Sequence, residues 1–138
     1  MPHTQSSAIL THDGALAMLA AAAAKATEIG QPQCIVIVDA SGETVAELKM
    51  TGAKFLSRKS ARAKALTAAS NGAPSAGVPE PFRAPIGMAT QGAVTGLPGG
   101  LPIRVDGVLL GGIGIGSGTG DQDIAVATAA LNAIGAAI

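Results

Sequence analysis

Apolar and small residues recur at helical spacing in three parts of the chain. The first helical pattern covers residues 13–29, with Thr11 in the position of an N-cap. A second, rich in good helix formers, covers residues 53–70, and a third runs from about 120 to 137. Thr119 directly precedes this third pattern, and Gln122, three residues on, stands at the spacing of a capping box. The sequence therefore predicts three helices.

Between these helices, shorter runs have the composition of β-strands. Residues 34–38 form a continuous, mostly β-branched run, followed by turn chemistry at residues 39–42 and a second run over 44–50. A later run over residues 104–117 is interrupted by Asp106-Gly107, a dipeptide that favours a tight turn. These runs predict two hairpins, with the first strand buried on both faces. Helices and hairpins together predict an α/β (α+β) protein.

One long segment, residues 72–100, has no strong periodicity and is rich in proline. A stretch of this length in a compact domain is usually a lid, a binding loop or a segment that packs on a partner. One short helix or strand is predicted within it, around residues 86–94.

Glycine is concentrated just after this segment. The run 97–103 reads Leu-Pro-Gly-Gly-Leu-Pro-Ile, a rigid corner in which Gly99 or Gly100 is expected to need a positive φ. Gly112, Gly114 and Gly116 then alternate along a strand, so one face of that strand carries no side chains. A body must approach this backbone closely, and the sequence leaves open whether it is a helix or a ligand.

Composition limits the functional classes. The chain has 138 residues, equal numbers of basic and acidic residues, two phenylalanines and a single cysteine, Cys34. We expect one domain over residues 11–138 after an N-terminal extension, 1–10. Zero net charge and scarce aromatic residues argue against nucleic-acid binding, and no run is apolar enough to span a membrane. A lone cysteine and a polar N-terminus favour a cytoplasmic location.

Lys64 is the main candidate for chemistry. It lies off the solvated face that Lys54, Arg58 and Arg62 share on the second helix, beside small residues. Such a lysine can hold a carboxylate or act as an acid or base, and it can equally lay its stem over apolar surface. Ser57 lies seven residues away, about 10.5 Å along the helix, so the two are not a direct nucleophile and base pair.

Heme ligation is the second chemical possibility. Imidazole and thioether groups both bind heme iron, and the sequence offers His12, Met50 and Met88. No histidine has a second ligand at metal-site spacing, so no non-heme metal site is predicted.

Several separated motifs resemble the GlcG/HbpS family, in the same order, from about residue 11 to 138. The most specific is the run 97–103 with the later Asp106-Gly107. The others are Asp39-Ala40-Ser41-Gly42, Lys49-Met50-Thr51-Gly52-Ala53, Ser57 with Lys64-Ala65 and Thr67-Ala68, and Gly112-Ile113-Gly114-Ile115 with Asp121-Gln122-Asp123. The family commonly has an acidic residue where this chain has Thr51, and its heme ligation maps onto no single motif here.

The resemblance implies a profilin-like fold, a central antiparallel sheet flanked by helices, and assembly into homo-oligomers. Its members include heme-binding proteins, the PduO C-terminal domain and some cofactor-free enzymes. We expect a small-ligand or heme-binding protein whose pocket lies between the second helix, the glycine corner and the glycine-rich strand. Its expected lining residues are Met50, Ala53, Lys64, Arg83, Gly99, Gly100, Pro102, Gly112 and Gly114, with His12 or Met50 as the axial ligand.

The alternative is a cofactor-independent lyase or isomerase acting on a small aromatic or carboxylated substrate. In that interpretation Lys64 or Arg83 anchors an anion, while Ser57, Asp39 or Glu80 handles protons.

Overall fold

The computed structural model describes residues 1–138 and contains one four-stranded antiparallel sheet. Across the sheet the strands, counted in chain order, follow as second, first, fourth and third, which places the second and third strands at the edges. Asp106 and Gly107 turn the chain between the last two strands with φ values of 51° and 77°, as the sequence predicts. The strands are β1 (Cys34–Asp39), β2 (Thr44–Lys49), β3 (Gly100–Val105) and β4 (Val108–Gly116).

Four helices surround this sheet: α1 (His12–Glu28), α2 (Ser57–Asn71), α3 (Glu80–Ala89) and α4 (Gly120–Ala133). The hydroxyl of Thr11 accepts a hydrogen bond from the amide of Gly14, and Thr119 forms the predicted capping box with Gln122. α2 ends at Gly72 in the left-handed region, which a residue without Cβ adopts at little cost. The α+β fold class is confirmed.

The element boundaries differ from the predicted ones in four places. α2 begins at Ser57 rather than residue 53, because tight turns precede it, in one of which the Ala53 amide donates to the Met50 carbonyl. β3 begins at Gly100 rather than residue 104, and its Pro102 is tolerated on an edge strand. The helix in segment 72–100 covers Glu80–Ala89 instead of lying around 86–94, and α4 ends at Ala133 instead of 137.

Helices cover both faces of the sheet. α1 and α4 pack on one face over large aliphatic side chains such as Ile35, Ile37 and Ile113. α2 packs alone on the other face, where Ala61, Ala65 and Ala69 meet β1 and β4. Residues 1–9 are exposed and lie outside any helix or strand. None of the helices has the length and apolar character needed to cross a bilayer.

Candidate functional site

The glycine-rich face of β4 is covered by α2. A Cβ placed on Gly114 would lie 2.6 Å from the Ala65 amide nitrogen and still closer to the Ala61 carbonyl oxygen. A Cβ on Gly112 would lie 2.8 Å from the Ala69 amide nitrogen. The helix backbone therefore rests directly on the strand backbone, which only glycine permits.

The sequence left open whether a helix or a ligand packs on the glycine-rich face of β4. This contact shows that it is the helix α2. α2 fills the space above Gly112 and Gly114, so the expected ligand pocket between α2 and the glycine-rich strand is not present in this structure. The sequence could not decide between them because a helix backbone and a flat ligand both require a strand face without side chains.

The glycine corner has the expected conformation, and the Gly100 amide is already bonded within the chain. Gly99 has a φ of +118°, and a Cβ on it would lie 2.8 Å from the Asp123 Cβ. The Gly100 amide donates to the hydroxyl of Ser75 at 2.9 Å, and that hydroxyl in turn donates to the Leu97 carbonyl. The Gly100 amide is thus occupied by a fully buried serine that the sequence analysis did not single out.

Lys64 is buried and paired rather than available to a substrate. Its ammonium Nζ lies 2.9 Å from a carboxylate oxygen of Asp123 and 2.7 Å from the Ile115 carbonyl. Lys64 and Asp123 are 5% and 2% exposed. The second Asp123 carboxylate oxygen accepts from the Gly118 amide at 3.1 Å. The ammonium of Lys64 and the carboxylate of Asp123 compensate each other's charge. Since Lys64 belongs to α2 and Asp123 to the first turn of α4, the pair holds these two helices together at the end of β4.

The three residues expected to share catalysis lie apart. Asp39 pairs with Gly111 on β4, whereas Lys64 bonds Ile115, four residues and about 13 Å further along the strand. The Asp39 carboxylate accepts from the Ser41 hydroxyl at 2.8 Å and from two turn amides, and these bonds, the Ser41 hydroxyl first, lower its pKa. Ser57 begins α2 beneath Gly116. The structure does not bring Asp39, Ser57 and Lys64 into one site.

Arg83 and Glu80 both belong to α3, outside the sheet. The Arg83 guanidinium donates to the Val78 carbonyl at 2.8 Å and to the Ala76 carbonyl at 3.1 Å. Arg83 therefore ties α3 to the preceding 3-10 turn, Ser75–Gly77. Glu80 is the exposed first residue of the helix, and Met88 is also exposed.

The two expected axial ligands lie at opposite ends of α1. Met50 is half-buried in a cleft of about 580 Å³ between the end of α1 and β2, with Pro32, Leu48 and Lys49 in its lining. His12 begins α1, and its side chain is 83% exposed. Fourteen residues of helix, about 21 Å, separate His12 from Ala26, which also lines the Met50 cleft. One iron cannot bind both residues of the same chain.

Cys34 and Ala53 lie beneath the first turn of α2, near Met50. Both side chains are buried, and the Cys34 thiol contacts the Lys54 carbonyl at 3.5 Å. Burial raises the pKa of Cys34, so its thiol is protonated at neutral pH.

Two further buried polar residues, Asp123 and Gln33, were not predicted as site residues. Asp123 is noticeable in the sequence only as an acid in the first turn of α4. Gln33 is fully buried beside Gly118, and neither polar atom of its side chain has a hydrogen-bond partner. Nothing in the sequence marks Gln33, because the residue lies just outside the periodic run of β1.

Fold and site together define a profilin-like α+β protein whose buried ionic and hydroxyl groups are used in its own packing. Comparison with family models identifies the family: residues 10–132 match the model described as "Haem degrading protein HbpS-like". The chain belongs to this HbpS-like family, and the resemblance seen in the sequence is confirmed.

Known relatives agree with this membership. The chain is 34% identical over 119 residues to the corrinoid adenosyltransferase PduO of Salmonella typhimurium strain LT2, covering 83% of this chain and 35% of the relative. It thus spans about a third of that curated relative. A solved structure, the PduOC:heme complex, matches with a TM-score of 0.87 and 27% identity, covering 94% of this chain and 98% of the other. The crystal structure of HbpS matches with a TM-score of 0.83 and 30% identity, covering 94% and 93%.

Proposed function

We propose that this protein binds heme. The observation that carries the proposal is the match of nearly the whole fold to a domain solved as a heme complex. Bound heme would supply an iron centre whose reactivity depends on its axial ligand and surroundings. The role of this protein would be to hold the porphyrin and to supply the side chain that binds the iron.

The donor set of the structure fits this group. The Met50 cleft has a volume within the usual range for small-molecule sites and combines a thioether with apolar walls from Pro32 and Leu48. Lys49 in the same cleft offers a cation for a propionate. Met50 would therefore hold the iron through its thioether sulfur.

His12 is the competing ligand, and it makes a different physical prediction. Its imidazole stands outside every described cleft that could cover a porphyrin. A heme bound by His12 would need a second protomer to cover its exposed surface. Binding through His12 would therefore require a contact between protomers at the heme, whereas binding in the Met50 cleft would not.

The test is a hemin titration followed by absorbance in the Soret region and by sedimentation velocity. We expect saturation near one heme per chain, no change in assembly state, and binding about tenfold weaker in Met50→Leu, which corresponds to about 1.4 kcal/mol. Met88→Leu is the matched control, since Met88 is exposed on α3 and should bind as the wild type does.

The outcomes separate the function from its ligand. Failure to saturate would overturn heme binding. Saturable binding that His12→Gln weakens and Met50→Leu does not would retain the function and transfer the ligand role to His12.

The lyase or isomerase alternative gains no support, because its proposed residues lie apart and Lys64 is held by Asp123. The homo-oligomer and the cytoplasmic location remain predictions.

A further inference from the structure

Both aromatic side chains of the protein lie at its surface. Phe55 and Phe82 are the only aromatic residues in the chain, and they are 74% and 62% exposed. A core made mostly of Ile, Val, Leu and Ala, with Met18 and Cys34, forms without them, although burying an aromatic ring would stabilise it substantially. An aromatic ring left in solvent calls for an explanation other than folding.

Phe55 differs from Phe82 in the charges around it. No acidic residue occurs between Glu47 and Glu80, although the whole chain has equal numbers of acids and bases. Six of the nine basic residues lie in that stretch: Lys49, Lys54, Arg58, Lys59, Arg62 and Lys64. Lys64 forms an ion pair with Asp123, and Arg58 forms one with Glu47 at 3.1 Å. Lys54, Lys59 and Arg62 face solvent without a carboxylate partner. The Arg62 guanidinium donates one hydrogen bond, to the Thr44 hydroxyl.

These cations and the ring border the same surface. Phe55, Leu56, Lys59 and Arg62 line a cleft of about 300 Å³ at the beginning of α2. Glu47 and Arg58, which pair with each other, complete the lining. Lys59 and Arg62 also line a second cleft, of about 610 Å³, whose far wall includes Leu97. The ridge of α2 thus carries two positive groups between two partly apolar hollows.

We propose that this surface, the α2 patch of Phe55, Leu56, Lys59 and Arg62, recognises the edge of a planar ligand that carries carboxylates. The ring offers a stacking surface, and the two cations offer charge-assisted hydrogen bonds to carboxylate oxygens. The porphyrin of heme, with its two propionates, has this chemistry, so the inference rests on the proposed function. It adds a second surface, on the other face of the sheet from Met50, that recognises the macrocycle and its carboxylates independently of the iron.

The experiment uses metal-free protoporphyrin IX, which retains the ring and carboxylates but has no iron for an axial ligand. Binding is measured by fluorescence for the wild type and for Lys59→Gln/Arg62→Gln. We expect saturable binding that weakens about tenfold in this variant, because each exposed pair contributes up to about 1 kcal/mol. The dimethyl ester of the same porphyrin should bind both proteins equally, since it has no carboxylates.

The ring is tested with a matched pair of substitutions. Phe55→Ala should weaken binding about fivefold, whereas Phe82→Ala, at the other exposed ring, should leave it unchanged. Both positions are exposed, so both variants should fold, and thermal melts check this. Raising the salt concentration should weaken wild-type binding by screening and should have little effect on Lys59→Gln/Arg62→Gln.

Each outcome has a defined meaning. If the wild type binds hemin but not protoporphyrin IX, the α2 patch is overturned while heme binding stands. If it binds neither, both proposals fail. Equal protoporphyrin affinity in wild type and Lys59→Gln/Arg62→Gln overturns the patch. So does a Phe55→Ala variant that loses self-association but keeps its porphyrin affinity, since the ring would then serve a contact between copies.

Discussion

The two faces of the sheet are packed in different ways. On the face covered by α1 and α4, β1 and β4 present Ile35, Ile37, Ile113 and Ile115, and the contact is made by large side chains. On the face covered by α2, the same strands present Val36 and Val38 from β1 but only glycines from the facing part of β4. On the first face, side chains hold the helices away from the strands. On the second face, the backbone of α2 touches the backbone of β4.

This difference shows where the fold tolerates change. A face filled by side chains can relax when one methylene is lost, because neighbouring rotamers move into the space. A face where a helix backbone lies on a strand backbone cannot accept even a methyl group. The small residues of α2 and β4 are therefore structural requirements, and ligand recognition falls to surfaces outside their contact.

The largest expected effect compares the two faces directly. Gly114→Ala should destabilise the protein by more than about 4 kcal/mol, because its Cβ would meet the backbone of α2 at Ala61 and Ala65. Ile113→Val, one residue away on the opposite face, should cost about 1 kcal/mol. Denaturant unfolding measures both. Gly77→Ala is the control, since a Cβ there meets nothing within 4 Å, and a wild-type-like Gly114→Ala would contradict the close contact.

The next effect concerns the ion pair that fastens α2 to the helix on the other face. Lys64→Met should cost about 3 kcal/mol, because it leaves the Asp123 carboxylate buried without its cation. Adding Asp123→Asn should recover part of this loss, since the uncompensated charge disappears. Lys25→Met, which breaks an exposed pair with Glu28, should change stability by less than about 0.5 kcal/mol. Equal losses for Lys64→Met and Lys25→Met would refute the fastening role.

A smaller effect of opposite sign is expected beside this pair. Gln33→Met should stabilise the protein by about 1 kcal/mol, because it replaces a buried amide whose polar atoms have no partner. Gln31→Met provides the contrast. The Gln31 amide donates to the Pro32 and Ser117 carbonyls, so its removal should destabilise. Chemical denaturation midpoints of the two variants should move in opposite directions.

The smallest effect lies outside both faces, in the turn after β1. The Ser41 hydroxyl and the turn amides lower the pKa of Asp39 in the folded protein, so this carboxylate contributes stability above its unfolded pKa of about 3.9. That contribution is lost as the pH falls through the folded pKa. Thermal melts should therefore show Asp39→Asn less stable than wild type at pH 7, with the difference shrinking towards pH 3. A constant difference would contradict the pKa shift.

Elements with strong local signals could be predicted from the sequence. The buried strand β1, the Asp106-Gly107 turn and the caps at Thr11 and Thr119 all appear where their residues indicate. The start of β3 could not, because Pro102 argues against a strand until its place at the sheet edge is known.

The candidate site was less accessible to prediction. Lys64 is singled out correctly as unusual, but its partner Asp123 is 59 residues away and has no local mark that distinguishes it from a capping acid. Nothing in the sequence marks Phe55, in contrast to Lys64. Only its exposure in the folded protein makes it notable.

The location of the ligand is the central question, and a crystal structure of the hemin complex with the iron located by anomalous scattering tests it directly. We predict that α2 stays in contact with Gly112 and Gly114 and that the porphyrin lies outside this contact, with the iron at Met50. An iron porphyrin found between a displaced α2 and the glycine-rich strand would contradict the account.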